Sequence, residues 1–441
     1  MRILIVGSGQ VGSSLVGALH TEHELTVVDL DGERLRELAY TFDIKTVEAN
    51  GASRAALLSA GLANIDLFIA CTSRDEVNLV ACSFARADNP RATTVIRTSN
   101  AEYVDLWRAG KLDADFAVSS ELETAHAVTR TIGVPAARMT DVFAEGQVQV
   151  VEFEVDEDAS PELLNRPLRE TRLPEESRVA SIIRNGSPLV LSGDERIQLG
   201  DLLVVIGSPK AAREWSRLIW GSGQDVRDVV VYGGGHVGAA IVRRLCREGI
   251  SVRLIEPDRA RAREVAEAIP DCRVFNTDGL DAAFLERERI GDADAAVFAM
   301  REDARNLFAA MLTRVHGVEF TVAIVHDLIA SEVYEQAGID VSINPRQVTA
   351  EEIARFAHDP RTQQVAMLEG DRFEILDLTT RPDSEYVGLR FREMPIRGAL
   401  IGAIVRDGRA LFPRSDDVLL VGDRVIVFTE TSRVPDVEKV L

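Results

Sequence analysis

Short unbroken apolar runs recur along the chain. RILIV opens it, LTVVD, LFIAC and TTVIR follow, and VVVY, VRLI and AAVFAM repeat the pattern in the second half. A run of four to six apolar residues without alternation is what a strand buried on both faces needs. Helical stretches separate these runs, so each half predicts an α/β domain, a doubly wound parallel sheet covered by helices. The pattern places these Rossmann-like domains at 1–120 and 227–345. DADFAVSS (113–120) and GIDVSINP (338–345) supply the last strand of each.

The pattern then changes. VQVVEFEV, RVASIIRNG and DLLVVIGS in one half, and RFEILDL, GALIGAIVRDG and DRVIVFT in the other, are short strands split by turn signals. Asn185-Gly186 and Asp407-Gly408 between apolar strands predict tight hairpins. A small α+β domain therefore closes each half, at 145–220 and 366–441. Connectors at 121–144 and 346–365 read as helices, from the spacing of Leu122, Ala125 and Ile132 in one and Ile353, Phe356 and Ala357 in the other. Two readings of them stand open, an ordinary intradomain helix and a crossover helix that forms a dimer.

The two halves are a repeat. MRILIVGSGQVG carries Gly7, Gly9 and Gly12, and VVVYGGGHVG carries Gly233, Gly235 and Gly238. Both are Gly-x-Gly-x-x-Gly between a strand and a helix. Both are followed by a second strand ending in an acid, Asp29 and Glu256. The first glycine allows the tight turn, the second lets backbone N–H groups approach a pyrophosphate, and the third lets the helix pack closely on the sheet. The helix N-terminus presents unpaired N–H groups and a partial positive charge to the anion. The acid suits ribose hydroxyls and repels a 2′-phosphate, which favours NAD(H), ATP or ADP over NADP. Register matches DLFIACTSRDEVNL (66–79) to DAAVFAMREDARNL (294–307), so Thr72-Ser73 and Met300-Arg301 are expected at the crevice. Arg97, ending TTVIR, can reach a phosphate or a neighbouring subunit, or form a surface ion pair. Its match in the second half is read as His326. Arg34 and Arg259 are read as exposed helix positions, and His236 as a solvent-facing one.

Composition narrows the function. The net charge of -21 argues against nucleic-acid partners and against direct adhesion to an anionic membrane. No run approaches the roughly 18–20 apolar residues of a membrane span. The four cysteines and seven histidines show no metal-ligand spacing, so reduced thiols, a cytoplasmic location and no metal are expected. No acid/base group announces itself over a nicotinamide, which points to a sensor of nucleotides and not an enzyme. The alternative is a cytosolic NAD-dependent oxidoreductase with duplicated dinucleotide-binding domains. A third reading keeps one loop functional and the other as a relic.

The stretches GSGQVGSSL, TVVDLDGERLRELAYTFD, TSRDEVNLVAC, GGGHVG, LIEPDRARAREVAE, IGAIVRDG and VGDRVIVF resemble the TrkA-type tandem RCK (KTN) family over essentially the full length. That resemblance implies a cytoplasmic nucleotide-binding regulatory subunit, a homo-oligomer arranged as a dimer of dimers. It would dock as a gating ring at the inner face of the plasma membrane, under a membrane-embedded potassium-translocating Trk subunit. NAD(H) or ATP/ADP occupancy would control potassium uptake. Carried over residue by residue, the contacts fall on Gly7, Ser8, Gly9, Gln10, Val11, Asp29, Thr72, Ser73 and Arg97. In the second half they fall on Gly233, Gly234, Gly235, His236, Val237 and Glu256. AMREDARN departs from the family pattern by lacking the Thr-Ser pair of CTSRDEVN. The closing domains of the family can take small ligands or ions, and nothing in 145–220 or 366–441 assigns one.

Overall fold

The computed structural model describes residues 1–135, 137–189, 193–220, 226–327, 333–334, 336–354, 356, 362–368, 372–394 and 399–441. The expected connector positions Ala357 and His358 lie outside them. Among the described residues, strands β1 (Arg2–Val6), β2 (Glu24–Asp29), β3 (Lys45–Glu48), β4 (Leu67–Ala70), β5 (Thr93–Thr98) and β6 (Phe116–Ser119) form a parallel sheet. Its order is β3-β2-β1-β4-β5-β6. Leu4, Val6, Phe68 and Ala70 pack with Leu57, Ala81 and Ala85 of the helices on one face. Ile3 and Ile5, on the other face, are equally buried. Burial on both sides is why these strands read as continuous apolar runs.

The second half repeats this sheet with β12 (Asp228–Tyr232), β13 (Ser251–Ile255), β14 (Cys272–Phe275), β15 (Ala295–Phe298), β16 (Phe320–Ile324) and β17 (Val341–Ile343), in the order β14-β13-β12-β15-β16-β17. In both sheets the strand order reverses between the first and fourth strands. That switch point opens a crevice at the carboxyl ends of the strands, where ligands of such folds bind.

The small domains are antiparallel sheets. One holds β7 (Ala137–Phe143), β8 (Val148–Glu154), β9 (Ser177–Arg184), β10 (Ser187–Pro188) and β11 (Leu202–Gly207). The other holds β18 (Thr362–Leu368), β19 (Phe373–Thr379), β20 (Ala399–Arg406), β21 (Arg409–Leu411) and β22 (Arg424–Glu430). The hairpins fall where expected: Asn185 and Gly186 have φ of 52° and 71°, Asp407 and Gly408 of 51° and 72°. Positive φ at both central residues matches the twist of the flanking strands.

The two small sheets share one core, in which Val148, Val150, Val204 and Ile206 meet Phe373, Ile375, Ala403 and Phe428. At Gly402 an added Cβ would lie 2.4 Å from Ile206 Cδ1, so glycine permits this approach. Gln147 donates to Gly408 O (2.8 Å) and accepts from Ala410 N (2.9 Å). Reciprocally, Arg372 donates to Gly186 O (2.7 Å).

The connectors differ from their expected form. The first is helical only over Ser120–Ile132. Its remainder becomes β7, because Gly133-Val134-Pro135 cannot continue a helix and the next residues find β8 as an antiparallel partner. The second is helical over Pro345–Ala354, and its tail enters β18. That second helix is a crossover within the chain. Residues 344–354 belong to one compact unit with residues 1–125, and the helix lies along helix Gln10–Leu19 and beside β6. Phe356 packs against Phe116 in a tilted ring pair with centroids 4.7 Å apart.

Candidate functional site

Gly7 ends β1 with φ of 114°, and a Cβ there would stand 2.9 Å from Thr72 N. Gly12 is more constrained, since its Cβ would stand 1.9 Å from Gly7 O. These glycines are required by the protein's own packing. Gly9 is different. It caps helix Gln10–Leu19 with an ordinary φ of -65°, and nothing lies within 4 Å of a Cβ built on it. The second half repeats this division: Gly233 has φ of 98°, Gly238 would collide with Gly233 O at 1.9 Å, and Gly235 faces open space. A glycine the fold does not need, at the N-terminus of a helix, leaves room for a group to approach the backbone. The residues present therefore fit a nucleotide pyrophosphate at both loops.

A cleft of about 640 Å³ opens on the first loop. Ser8, Gly9, Gln10 and Val11 line it, together with Ser73 and Arg97 from across the switch point. Arg34 also lines it while paired with Asp31 at 3.2 Å, so its helix position is exposed yet faces the cleft. Asp29 sits behind the loop, accepting from Ser8 N (2.6 Å) and Asp31 N (2.9 Å). Partial burial pushes its carboxyl up, but the donated hydrogen bonds, Ser8 N–H foremost, outweigh this and hold it below the ordinary 3.8. A depressed folded value means Asp29 stabilises the loop above pH 3.8 and loses that contribution as pH falls below it. Asp29→Asn is accordingly expected to flatten the acid limb of a stability-versus-pH curve measured by chemical denaturation. An unchanged acid limb would contradict this.

Thr72 does not face the cleft as its neighbour Ser73 does. Its hydroxyl donates to Asn78 Oδ1 (2.7 Å), and its N–H donates to the same oxygen (3.0 Å). Asn78 Nδ2 donates onward to Thr72 O (3.0 Å) and Arg97 O (2.9 Å). One fully buried amide thus ties the loop after β4 to the end of β5. Asn306 does the same in the second half, bonding Met300 N, Met300 O and Ile324 O. Replacing Asn78 with Leu leaves several buried backbone groups unpaired, so unfolding free energy is expected to drop by about 3 kcal/mol. Urea denaturation checks this; a loss under about 1 kcal/mol would mean the amide is dispensable.

The Asn pair also fixes the register between halves and corrects one expectation. Asn78 bonds Arg97 O and Asn306 bonds Ile324 O, so Ile324 is the match of Arg97. His326 instead matches Ser99: its N–H and ring Nδ1 meet Asp303 (ring contact 2.9 Å), as Ser99 meets Asp75. Arg97 itself donates to Ser120 Oγ (3.0 Å) and Thr72 O (3.2 Å), and no carboxylate among the described residues pairs with it.

The second loop is built more tightly around its acid. Glu256 is 3% exposed and accepts from Gly234 N (2.6 Å) and Asp258 N (2.7 Å). A Cβ on Gly234 would stand 3.2 Å from Glu256 Oε2. The first loop has Ser8 there and the shorter Asp29, so the extra methylene of Glu256 occupies the space of the missing Cβ. His236 is exposed.

Two contributors to the first cleft escape sequence reasoning. Cys71 backs the loop, with Sγ 3.7 Å from Gly7 O, and burial pushes its thiol up to about 12. Arg346 comes from helix Pro345–Ala354. Nothing in the sequence near residue 346 signals a ligand site, because the helix reaches the cleft only through tertiary packing. Among the described residues, no group of three or more His, Cys, Asp or Glu could hold a metal, and no helix is long and apolar enough to cross a membrane.

The TrkA-N domain model matches residues 3–120 and 229–345, and the TrkA-C domain model matches 150–219 and 375–441. The chain is similar to Trk system potassium uptake protein TrkA homolog 1 of Methanosarcina mazei, 29% identical over 449 residues, covering 100% of this chain and 99% of that one. A TrkA homolog of Archaeoglobus fulgidus is also 29% identical, over 443 residues and 100% of both chains. Among solved structures, the GsuK channel bound to NAD has the same fold, with a TM-score of 0.60 at 18% identity over 100% of this chain and 78% of that one.

Proposed function

Because the chain belongs to the family built from TrkA-N and TrkA-C domains, we propose that it is a nucleotide-binding regulatory subunit that controls potassium uptake through a membrane-embedded Trk-type partner. It works from the cytoplasmic face as a homo-oligomeric ring and performs no chemistry on its ligand. The observation that carries this reading is the open space at Gly9 and Gly235, the two loop glycines that the fold itself does not require. The names of the TrkA relatives and of the NAD-bound GsuK channel support the physiological side of it.

In the first cleft, the N–H groups of Gly9, Gln10 and Val11 would receive the phosphates, with Arg97 neutralising charge opposite them. Asp29 keeps lone pairs for ribose hydroxyls beyond the two bonds it accepts from the loop. NAD(H), ADP and ATP all present this combination of pyrophosphate and ribose. The second loop offers the same cradle with less exposed acid and with Ile324 in place of a guanidinium. Its affinity for an anionic nucleotide is accordingly lower.

A ligand shifts a gate only to the extent that it binds two conformations differently, and a near-complete switch needs about a 10⁴-fold preference. Reconstitution with the pore protein tests the whole reading. Potassium flux is to be measured while NAD, NADH, ADP and ATP are added in turn, and flux unaffected by all of them would defeat it. Consumption of NADH with a metabolite, lost in Asp29→Ala, would favour the oxidoreductase alternative.

A further inference from the structure

We propose that Arg346 is a phosphate-binding residue of the first cleft, supplied by the second half of the chain. A bound nucleotide is then held by β1, its loop and the crossover helix together. This rests on the nucleotide-binding reading of the first loop and adds to it the residue that makes occupancy felt by the other half.

Arg97 and Arg346 line this cleft from two different elements, together with Glu37 and with Arg34, which is paired with Asp31. That clustering of guanidinium groups stands out in a chain of net charge -21. It sits beside a helix N-terminus whose second glycine faces open space. Cationic side chains and free N–H groups converging on one cleft are the donor set of a phosphorylated ligand.

The backbone at Arg346 is anchored at the helix start. It lies in the first turn of helix Pro345–Ala354, where its N–H donates to the capping Asn344 Oδ1 (2.9 Å). Three residues on, fully buried Thr349 joins its hydroxyl to Ser120 Oγ at 2.9 Å. Ser120 in turn receives the Arg97 guanidinium at 3.0 Å. The two arginines therefore stand on one hydrogen-bonded unit, Arg97–Ser120–Thr349, that links the cleft to the heads of both connector helices. The equivalent place in the first connector carries Glu121, so the charge is specific to the helix that reaches this cleft.

Nucleotide in the cleft then stabilises the docked crossover helix, and the docked helix tightens the nucleotide, as linkage requires. Occupancy of one loop is transmitted along the chain without any change in the second loop's own ligand.

The test uses the full chain with Gly235→Ala, so that titration reports the first cleft. Calorimetry is run with ADP and with adenosine on this protein and on its Arg346→Gln and Arg346→Lys variants. Arg346→Gln is expected to weaken ADP binding about tenfold, leaving adenosine binding unchanged. Arg346→Lys should recover part of the loss. ADP should also slow amide exchange over 345–354 in the parent and fail to do so in Arg346→Gln. Equal ADP affinity in parent and Arg346→Gln, with binding still weakened in Gly9→Ala, would overturn this assignment alone. No ADP binding by the unaltered chain would overturn the nucleotide reading and this assignment with it.

Discussion

Alanine at Gly9 is expected to leave the chain folded while weakening nucleotide binding at the first cleft. Gly9 has φ of -65° and ψ of -174°, a conformation any L-residue adopts, and no atom lies within 4 Å of the added methyl. The entropy gained by restricting the unfolded chain, about 0.4–1 kcal/mol, roughly offsets the poorer helix cap that Ala makes. The methyl does occupy the space through which a pyrophosphate would approach the loop. An overpacking cost of about 1–3 kcal/mol falls on the complex alone, a loss of roughly fivefold to more than a hundredfold in affinity.

Gly12→Ala supplies the contrast. Its methyl would stand 1.9 Å from Gly7 O, a backbone atom, so the helix must move off the sheet. That variant is expected to lose about 3 kcal/mol of stability, with binding lost as a consequence of distortion. Thermal melting and calorimetric titration of both variants separate the two cases. Wild-type affinity for ADP and NAD in Gly9→Ala would sink the assignment of this loop.

The second large effect concerns an ion pair present in each small domain. Arg406 reaches Asp423 through Nε (2.8 Å) and Nη2 (2.7 Å) and also donates to Val418 O (2.8 Å). Asp423, whose side chain is 2% exposed, accepts in addition from Leu420 N (2.8 Å). In the first half Arg184 and Asp201 make the same fork, at 2.6 and 2.8 Å, with Arg196 O and Gln198 N as the further partners. Arg406→Ala strands a buried carboxylate, and the expected loss is about 3 kcal/mol. Arg406→Lys should recover little, because an ammonium cannot bridge both oxygens as the planar fork does. The double variant Arg406→Met, Asp423→Leu should recover most of the stability, since the cost lies in the unpaired charge. Urea denaturation decides this; an Arg406→Ala loss below about 1 kcal/mol would show that solvent reaches Asp423.

This pair shows where sequence reasoning runs out. Asn185-Gly186 and Asp407-Gly408, each preceded by an arginine, are legible as repeated hairpins. That Arg184 grips Asp201 and Arg406 grips Asp423 follows only when β9 pairs with β11 and β20 with β22. The glycine loops behave similarly. Spacing predicts the turn, yet the division between glycines the fold requires and glycines it leaves open is a matter of distances. Matching Arg97 to His326 failed for a related reason. The loops after β5 and β16 are bonded to Asp75 and Asp303, and that bonding places His326 opposite Ser99, two residues beyond Arg97.

By itself the sequence determined the duplication, the parallel sheets, the hairpins of the small domains and the two glycine loops between strand and helix. Each of these is written in local periodicity or in residues close together along the chain. Tertiary structure alone decided that the second connector crosses to the first domain, that Arg346 reaches the first cleft, and that the second acid is enclosed while the first stays accessible. Those outcomes depend on which buried surface best matches another some 200 residues distant, and on the length of a single methylene. Neither leaves a trace in the spacing of apolar and polar positions.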